Sequence, residues 1–150
     1  QGRGELKIPA HWGLRIQGMA TLNEMQGDCE RIVVETRTLD EFDFRGVSFI
    51  KIDVEGHESE VLNGAGETIK REKPTMVIEI EQRHLSFPFT DVIERVIGLG
   101  YAAFFLKGTE LRPFAEFDYE TGQQAFTRGK ATRFDTLPKQ YTNNFVFKPV

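Results

Sequence analysis

A strand–helix–strand pattern between residues 47 and 81 constrains the fold more than any other feature of the chain. Val47 to Val54 is apolar at both odd and even positions, which is typical of a strand covered on both faces in a parallel sheet. Apolar residues then recur at helical spacing from His57 to Arg71, and Pro74 ends this helix. Thr75 to Glu81 is a second apolar strand. A helix between two such strands predicts that the strands run parallel.

Shorter patterns on either side predict the remaining elements. These are a half-exposed hairpin over residues 2–18, a β-branched run over residues 32–38, a helix over Asp91–Leu99, strands over Tyr101–Leu106 and Leu111–Phe114, and an antiparallel last strand over Asn143–Lys148. In the helix, Val92, Ile93, Val96 and Ile97 are predicted to face inward. Residues 115–141 lack a clean period and are predicted to be ordered but irregular. The chain is therefore predicted to be an α/β protein.

Length and charge exclude several classes of protein. A chain of 150 residues predicts one domain. The balance of 19 basic and 23 acidic residues gives no electrostatic footprint for nucleic acid or anionic lipid. Apolar runs are too short for a membrane span, and the single cysteine, Cys29, is typical of a reducing compartment such as the cytoplasm. The chain does not begin with methionine, which is consistent with a processed or incomplete sequence.

Carboxylates follow both strands of the central unit. Asp53 and Glu55 come where the first strand leads into the helix, followed by Gly56, and Glu79 and Glu81 end the second strand. Ligands of open α/β sheets bind beyond the carboxyl ends of the strands. Paired carboxylates there would hold a cation, take a proton from an acceptor, or face a positively charged cofactor. Asp53 and Glu79 are the stronger candidates because each interrupts an apolar strand, whereas the residue pattern alone favours a solvated position for Glu55.

The other polar residues favour ordinary structural roles. Glu58 and Glu60 complement a helix N-terminus, and His57 and His84 are more commonly surface residues than ligands. Acidic neighbours make Cys29 a poor nucleophile. The sequence contains no G-x-S-x-G, C-x-x-C or H-E-x-x-H motif and no phosphate-binding glycine pattern. The Gly64-Ala65-Gly66 segment is interpreted as close packing within the helix.

Three segments carry a resemblance to a known family. They are FIKIDVEGHESEVLNGA (Phe49–Ala65), TLDEF (Thr38–Phe42) and KPTMVIEIE (Lys73–Glu81). Together they resemble the FkbM family of S-adenosylmethionine-dependent methyltransferases. GELKIP, LGYAAFFL and NNFVFKP extend the resemblance to most of the chain, with residues 115–141 the weakest part.

The resemblance implies a Rossmann-like class I methyltransferase sheet. Val47–Val54 would be its fourth strand and Thr75–Glu81 its fifth. The glycine-rich turn after the first strand and the acidic residue that ends the second have no counterpart in the sequence. At roughly 30 residues for each strand–helix unit, three missing units amount to about 90 residues. The chain is therefore expected to be the C-terminal portion of such a domain, lacking the first three strands.

The resemblance also implies roles for the strand-end residues. Asp53, Glu55 and Glu79 would form the catalytic pocket, and Asp53 and Gly56 would contact the cofactor, S-adenosylmethionine. The expected reaction is O-methylation of a hydroxyl on a small molecule, sugar or lipid. Without its neighbouring strands, Val47–Val54 would be an exposed edge, so the chain alone is expected to dimerise and to bind the cofactor poorly.

Two alternatives remain open from the sequence. The first is a non-catalytic interaction module that pairs through this sheet edge. The second is a hydrolase that binds a divalent metal through Asp53, Glu55 and Glu79.

Overall fold

The computed structural model describes residues 2–11, 14–15, 20–24, 27–124 and 141–150. These residues form two compact units. The first comprises the described residues of Gln1–Val47 together with Val54–Lys73, and the second comprises those of Ser48–Asp53 and Pro74–Val150. No helix in these ranges combines the length and the apolar character that crossing a membrane requires.

The first unit contains an antiparallel sheet with the strand order β2-β1-β3. Its strands are β1 (Gly2–His11), β2 (Leu14–Arg15) and β3 (Cys29–Thr36). The pairing of His11 with Leu14 confirms the predicted hairpin in its described part. The longer partner of β1 is β3, which contains most of the β-branched run.

Two helices follow in this unit, α1 (Glu58–Gly64) and α2 (Gly66–Glu72). The prediction of one continuous helix is wrong, because the backbone at Ala65 has φ −116° and ψ 5°. The Asp40 carboxylate accepts hydrogen bonds from the backbone N–H groups of Glu67 and Thr68, at 3.0 and 2.8 Å, and so provides a new helix start. The predicted close packing is confirmed at Gly64, where a Cβ would lie 3.3 Å from the Thr38 side chain, but Gly66 has nothing within 4 Å.

The second unit is built on a five-stranded sheet with the order β4-β5-β8-β6-β7. Its strands are β4 (Phe49–Ile52), β5 (Thr75–Glu79), β6 (Tyr101–Lys107), β7 (Glu110–Pro113) and β8 (Asn144–Pro149). β4 and β5 are parallel, and β8 is antiparallel to both β5 and β6, so both predicted directions are confirmed. β4, β5 and β6 consequently run in one direction, and their carboxyl ends lie at the same end of the sheet.

The strand β4 differs from its predicted form. It is four residues long and is not covered on both faces, since Phe49 is 56% exposed. Among the described strands it pairs with β5 alone, so one of its sides carries no neighbouring strand. The apolar run correctly predicts that this segment is a strand. How far the strand is buried depends on neighbouring elements, which the local sequence pattern does not show.

The helix α3 (Phe89–Gly98) packs its apolar stripe into the core of the second unit. Phe89, Val92, Ile93 and Val96 are buried. Ile97 is 44% exposed, so the prediction that it faces inward is wrong. At about 100° per residue, Ile97 lies at the border of the stripe formed by the other four side chains.

The core of this unit is rich in phenylalanine. Phe145 of β8 is fully buried and lies within about 6 Å, centroid to centroid, of three other rings. They are Phe89, Phe114 and Phe117. The segment predicted to be irregular contributes one of these rings, Phe117. Its described part contains most of a short turn of 3₁₀-helix (Phe114–Glu116) and a turn of π-helix (Glu120–Gln124). Residues 125–140 of that segment lie outside the described ranges.

Candidate active site

The parallel pairing of β4 with β5 places Asp53 beside Glu79. Ile52 is in register with Ile78, so the next residues along the two strands are neighbours. Lys51 lies between the two carboxylates, with its Nζ 3.6 Å from Asp53 Oδ2 and 3.7 Å from Glu79 Oε2. The structure thus brings together the two stronger sequence candidates. We call Lys51, Asp53, Glu79, Glu81 and Asn143 the strand-end cluster.

Glu79 is the partly buried member of this pair. Its side chain is 22% exposed, against 49% for that of Asp53. Its Oε1 accepts a hydrogen bond of 2.7 Å from Asn143 Nδ2. Burial and, next, the negative charge of Asp53 raise the pKa of Glu79 to about 7, against the opposing effect of Lys51. Glu79 therefore exchanges its proton near neutral pH.

Glu81 is the second carboxylate of the cluster and is almost fully buried, with a side-chain exposure of 2%. It accepts hydrogen bonds from the Tyr141 hydroxyl and Asn143 Nδ2 and pairs with the Arg83 guanidinium. Burial alone would raise the pKa of Glu81, but these hydrogen bonds and the positive charge outweigh it and hold the pKa below its ordinary value. Glu81 therefore stays ionised, and its charge contributes to the raised pKa of Glu79.

Hydrogen bonds hold both the backbone and the side chain of Asn143 in place. Its backbone carbonyl accepts a hydrogen bond of 2.7 Å from Ile80 N, and its Oδ1 accepts one of 2.8 Å from Asn144 Nδ2. The Asn144 Oδ1 in turn accepts a hydrogen bond of 3.0 Å from Lys51 Nζ. The amide of Asn143 thus bridges Glu79 and Glu81 from a fixed position immediately before β8.

The sequence analysis missed Lys51, Asn143 and Tyr141. For Lys51 a signal was present, because residues two apart in a strand face the same side, so Lys51 shares a face with Asp53. Asn143 is 64 residues from Glu79 along the chain, and no local pattern connects them.

Glu55 and Gly56 belong to the first unit, where they form a tight turn. Both have positive φ, 49° and 95° respectively. The Glu55 carbonyl accepts hydrogen bonds from Thr21 Oγ1 at 3.2 Å and Asn23 Nδ2 at 3.1 Å. Glu58 is buried and accepts a hydrogen bond from Gly56 N, which supports its structural interpretation. The chemical roles predicted for Glu55 and Gly56 stay predictions.

Within the described ranges, no group of three or more histidine, cysteine, aspartate or glutamate side chains is arranged to hold a metal ion. The strand-end cluster instead combines a titratable carboxyl with fixed charges, an arrangement suited to accepting and returning a proton.

Comparison with known proteins supplies the family. The model of the methyltransferase FkbM domain matches residues 14–117, more than two thirds of the chain. The matched range includes Lys51, Asp53, Glu79 and Glu81 of the strand-end cluster, whereas Asn143 lies outside it. No curated protein and no solved structure matches the chain. The chain belongs to the FkbM methyltransferase family.

Proposed function

We propose that the chain is an S-adenosylmethionine-dependent methyltransferase that methylates a hydroxyl oxygen of a small molecule, such as a sugar or a lipid. The observation that carries this proposal is Glu79, a partly buried carboxyl with a pKa of about 7 at the carboxyl end of a parallel strand. Transfer to a hydroxyl requires a group that accepts the hydroxyl proton, and a pKa near neutrality suits that task. The family supports methyl transfer in general.

The sheet of the second unit is consistent with the C-terminal portion of a Rossmann-like domain. Two parallel strands are followed in the sheet by the antiparallel last strand of the chain, which lies between β5 and β6. In this proposal β4 and β5 are the fourth and fifth strands of the class I sheet. The open side of β4 is where the third, second and first strands would continue it.

The described residues fit one end of the cofactor. S-adenosylmethionine supplies a methyl group on a positively charged sulfur and departs as a neutral thioether. Asp53, half-exposed beside Glu79, would hold the cationic end through its carboxylate. For the nucleoside end the described residues offer no match, because none of their strands leads through a turn with more than one glycine into a helix.

Each member of the strand-end cluster then has a role toward the acceptor. Ionised Glu79 takes the hydroxyl proton as the acceptor oxygen gains the methyl group. Asn143 and Lys51 hold the two oxygens of Glu79 in place, at 2.7 and 3.7 Å. Glu81 remains charged and keeps the pKa of Glu79 high enough for the proton to be received. Asp53 orients the reacting groups.

The test is methyl transfer from radiolabelled S-adenosylmethionine to a panel of alcohols and glycosides. Glu79→Gln keeps the shape of the side chain but cannot accept a proton, so kcat is expected to fall by about 10² to 10⁴. Asp53→Asn is expected to lower kcat/KM as well. Glu94→Gln, on the exposed face of α3, is the matched control and should leave turnover unchanged. Full turnover by Glu79→Gln would remove Glu79 from this role.

A further inference from the structure

The outer side of β3 is the longest unpaired strand edge among the described residues. All eight residues of β3 pair with β1 on one side, and no described strand lies on the other. The strand contains no proline or glycine, and its Ile32-Val33-Val34 run favours extended structure. Proteins usually shorten such an edge, interrupt it with proline or cover it, because its free backbone N–H and C=O groups pair readily with another strand. β3 is therefore open to the addition of a strand.

Two large apolar side chains of this edge are exposed. Val33 is 67% exposed and Ile32 is 39% exposed. Successive residues of a strand point to opposite faces, so these two side chains lie on opposite faces of the sheet. A strand added beside β3 would therefore cover apolar surface on both faces, which favours pairing in addition to the backbone hydrogen bonds.

The charged residues of β3 complement a second copy of the same strand. Arg31, Val33 and Glu35 are alternate residues and lie on one face. In an antiparallel pair of two β3 strands centred on Val33, Arg31 of each copy lies opposite Glu35 of the other. Arg31 Nη1 donates to Glu5 Oε1 within the chain, at 2.6 Å, and the guanidinium has further N–H groups for a second carboxylate. This pairing thus adds two ion pairs between the copies.

The other two-fold registers of β3 are less favourable. A two-fold axis keeps the same face of both copies on one side of the sheet, so the centre of the pairing falls on a residue. With the centre on Val33, Ile32 of each copy also lies opposite Val34 of the other, and apolar residues meet. A centre on Ile32 would put Arg31 opposite Val33, and one on Val34 would put Val33 opposite Glu35. A centre on Arg31 or Glu35 would put like charges opposite each other, which is destabilising.

We propose that β3 pairs antiparallel with β3 of a second copy of this chain, centred on Val33, so that the antiparallel sheets of the two copies become continuous. This interface goes beyond methyl transfer and does not rest on the proposed function. It is also separate from the open side of β4, which belongs to the other unit. A pair of eight-residue strands makes a small interface, and small interfaces are typical of weak, transient association. Pairing through β3 is therefore expected at high protein concentration.

The test measures sedimentation velocity of the Phe49→Lys chain, in which the added charge opposes pairing through the edge of β4. At low ionic strength this variant is expected to be a monomer when dilute and to form dimers as its concentration approaches about 1 mM. Added salt should weaken the dimer, because it screens the attraction between Arg31 and Glu35 at the exposed edge.

Charge reversals in the same background test the register. Arg31→Glu puts carboxylates opposite each other and Glu35→Arg puts guanidinium groups opposite each other, so each variant alone should dimerise about tenfold more weakly. A 1:1 mixture of the two re-forms both ion pairs and should dimerise as strongly as the parent. Lys70→Glu and Glu67→Arg make the same changes of charge at exposed positions of α2 and are the matched controls. Neither alone nor mixed should they change the dimerisation.

Three results would overturn the proposal. They are a Phe49→Lys chain that stays monomeric at about 1 mM, reversed variants that dimerise as the parent does, and a mixture of them that is no more dimeric than each alone. The first result would leave the edge of β3 to a different extended segment. Should the reversed variants fail to fold by circular dichroism, Val33→Lys decides instead, because it brings two ammonium groups together at the centre of the pairing while Glu5 lies opposite it within the chain. Loss of the dimer in Val33→Lys supports the proposal, and an unchanged dimer overturns it.

Discussion

Glu79 is a carboxyl group that the fold keeps partly out of water and close to other negative charges. Its folded pKa of about 7 exceeds its ordinary value of 4.5, so the folded state binds more protons than the unfolded state between these pH values. The favourable contribution is fully present below pH 4.5 and is lost as the pH rises through 7. The same raised pKa that suits Glu79 to accepting a proton therefore lowers the stability of the folded state above neutral pH.

Glu79→Gln is therefore expected to change the pH dependence of stability. Relative to the native chain, the variant should gain about 1 to 2 kcal/mol in the free energy of unfolding between pH 4.5 and pH 8, because it has no proton to lose. Urea unfolding at both pH values measures this difference. Glu94→Gln, at an exposed position of α3, should show no such gain. Parallel pH profiles for native chain and Glu79→Gln would contradict the raised pKa.

The TLDEF segment (Thr38–Phe42) contributes to the family resemblance, and the structure gives it a structural role. Thr38 and Glu41 form a capping box, and the pKa of Glu41 is lowered to about 2, first by the hydrogen bond from Thr38 N. Asp40 binds the first N–H groups of α2. Burial alone would raise the pKa of Asp40, but these hydrogen bonds outweigh it and lower the pKa. The motif therefore starts a helix and contributes no group to the strand-end cluster.

The sequence predicted some of the site's residues and not others for a physical reason. Asp53 and Glu79 could be predicted because each ends an apolar run, and register between parallel strands then brings them together. Asn143 and Tyr141 could not, because their contacts with Glu79 and Glu81 depend on how β8 enters the sheet. Glu81 was identified as a strand-end carboxylate, but its ionised state depends on those distant partners.

The break between α1 and α2 shows how one tertiary contact divides a helix that periodicity describes as continuous. The apolar stripe is preserved across the break, since Leu62, Ala65 and Ile69 are all buried. Asp40 supplies the cap that lets α2 begin anew, and the two glycines beside Ala65 have low helix propensity. The periodicity of the sequence shows which side of the two helices is buried. It does not show where α2 begins, because the capping residue Asp40 lies 27 residues before Glu67 in the chain.

The two glycines should respond differently to alanine. Gly66→Ala has open space and should raise the free energy of unfolding by about 0.4 to 1 kcal/mol, because alanine restricts the unfolded chain. Gly64→Ala would place its Cβ 3.3 Å from Thr38, and that crowding should cancel the gain. Thermal unfolding of the two variants provides the comparison. Equal stabilisation by both would show that Thr38 yields at no cost.

The open side of β4 matters for the chain as a whole. An exposed edge strand presents unpaired backbone donors and acceptors, and proteins normally cover or charge such an edge. β4 has β5 as its single described neighbour, and Phe49, at its first position, is 56% exposed. The same edge is where a Rossmann-like sheet would continue toward the nucleoside of the cofactor. We therefore attribute both the expected self-association and the expected weak cofactor binding to the unpaired side of β4.

We expect the isolated chain to dimerise through β4 and to bind S-adenosylmethionine weakly. Multi-angle light scattering should give a mass above that of a monomer, and Phe49→Lys should shift the chain toward monomer, because a charged edge position opposes strand pairing. Phe44→Lys, at an exposed position outside every strand, adds the same charge as a control and should leave the dimer intact. Isothermal titration should detect little heat with the cofactor. A monodisperse monomer that binds S-adenosylmethionine with micromolar affinity would contradict both expectations, because a chain with that behaviour would already contain a covered edge and a complete nucleoside site.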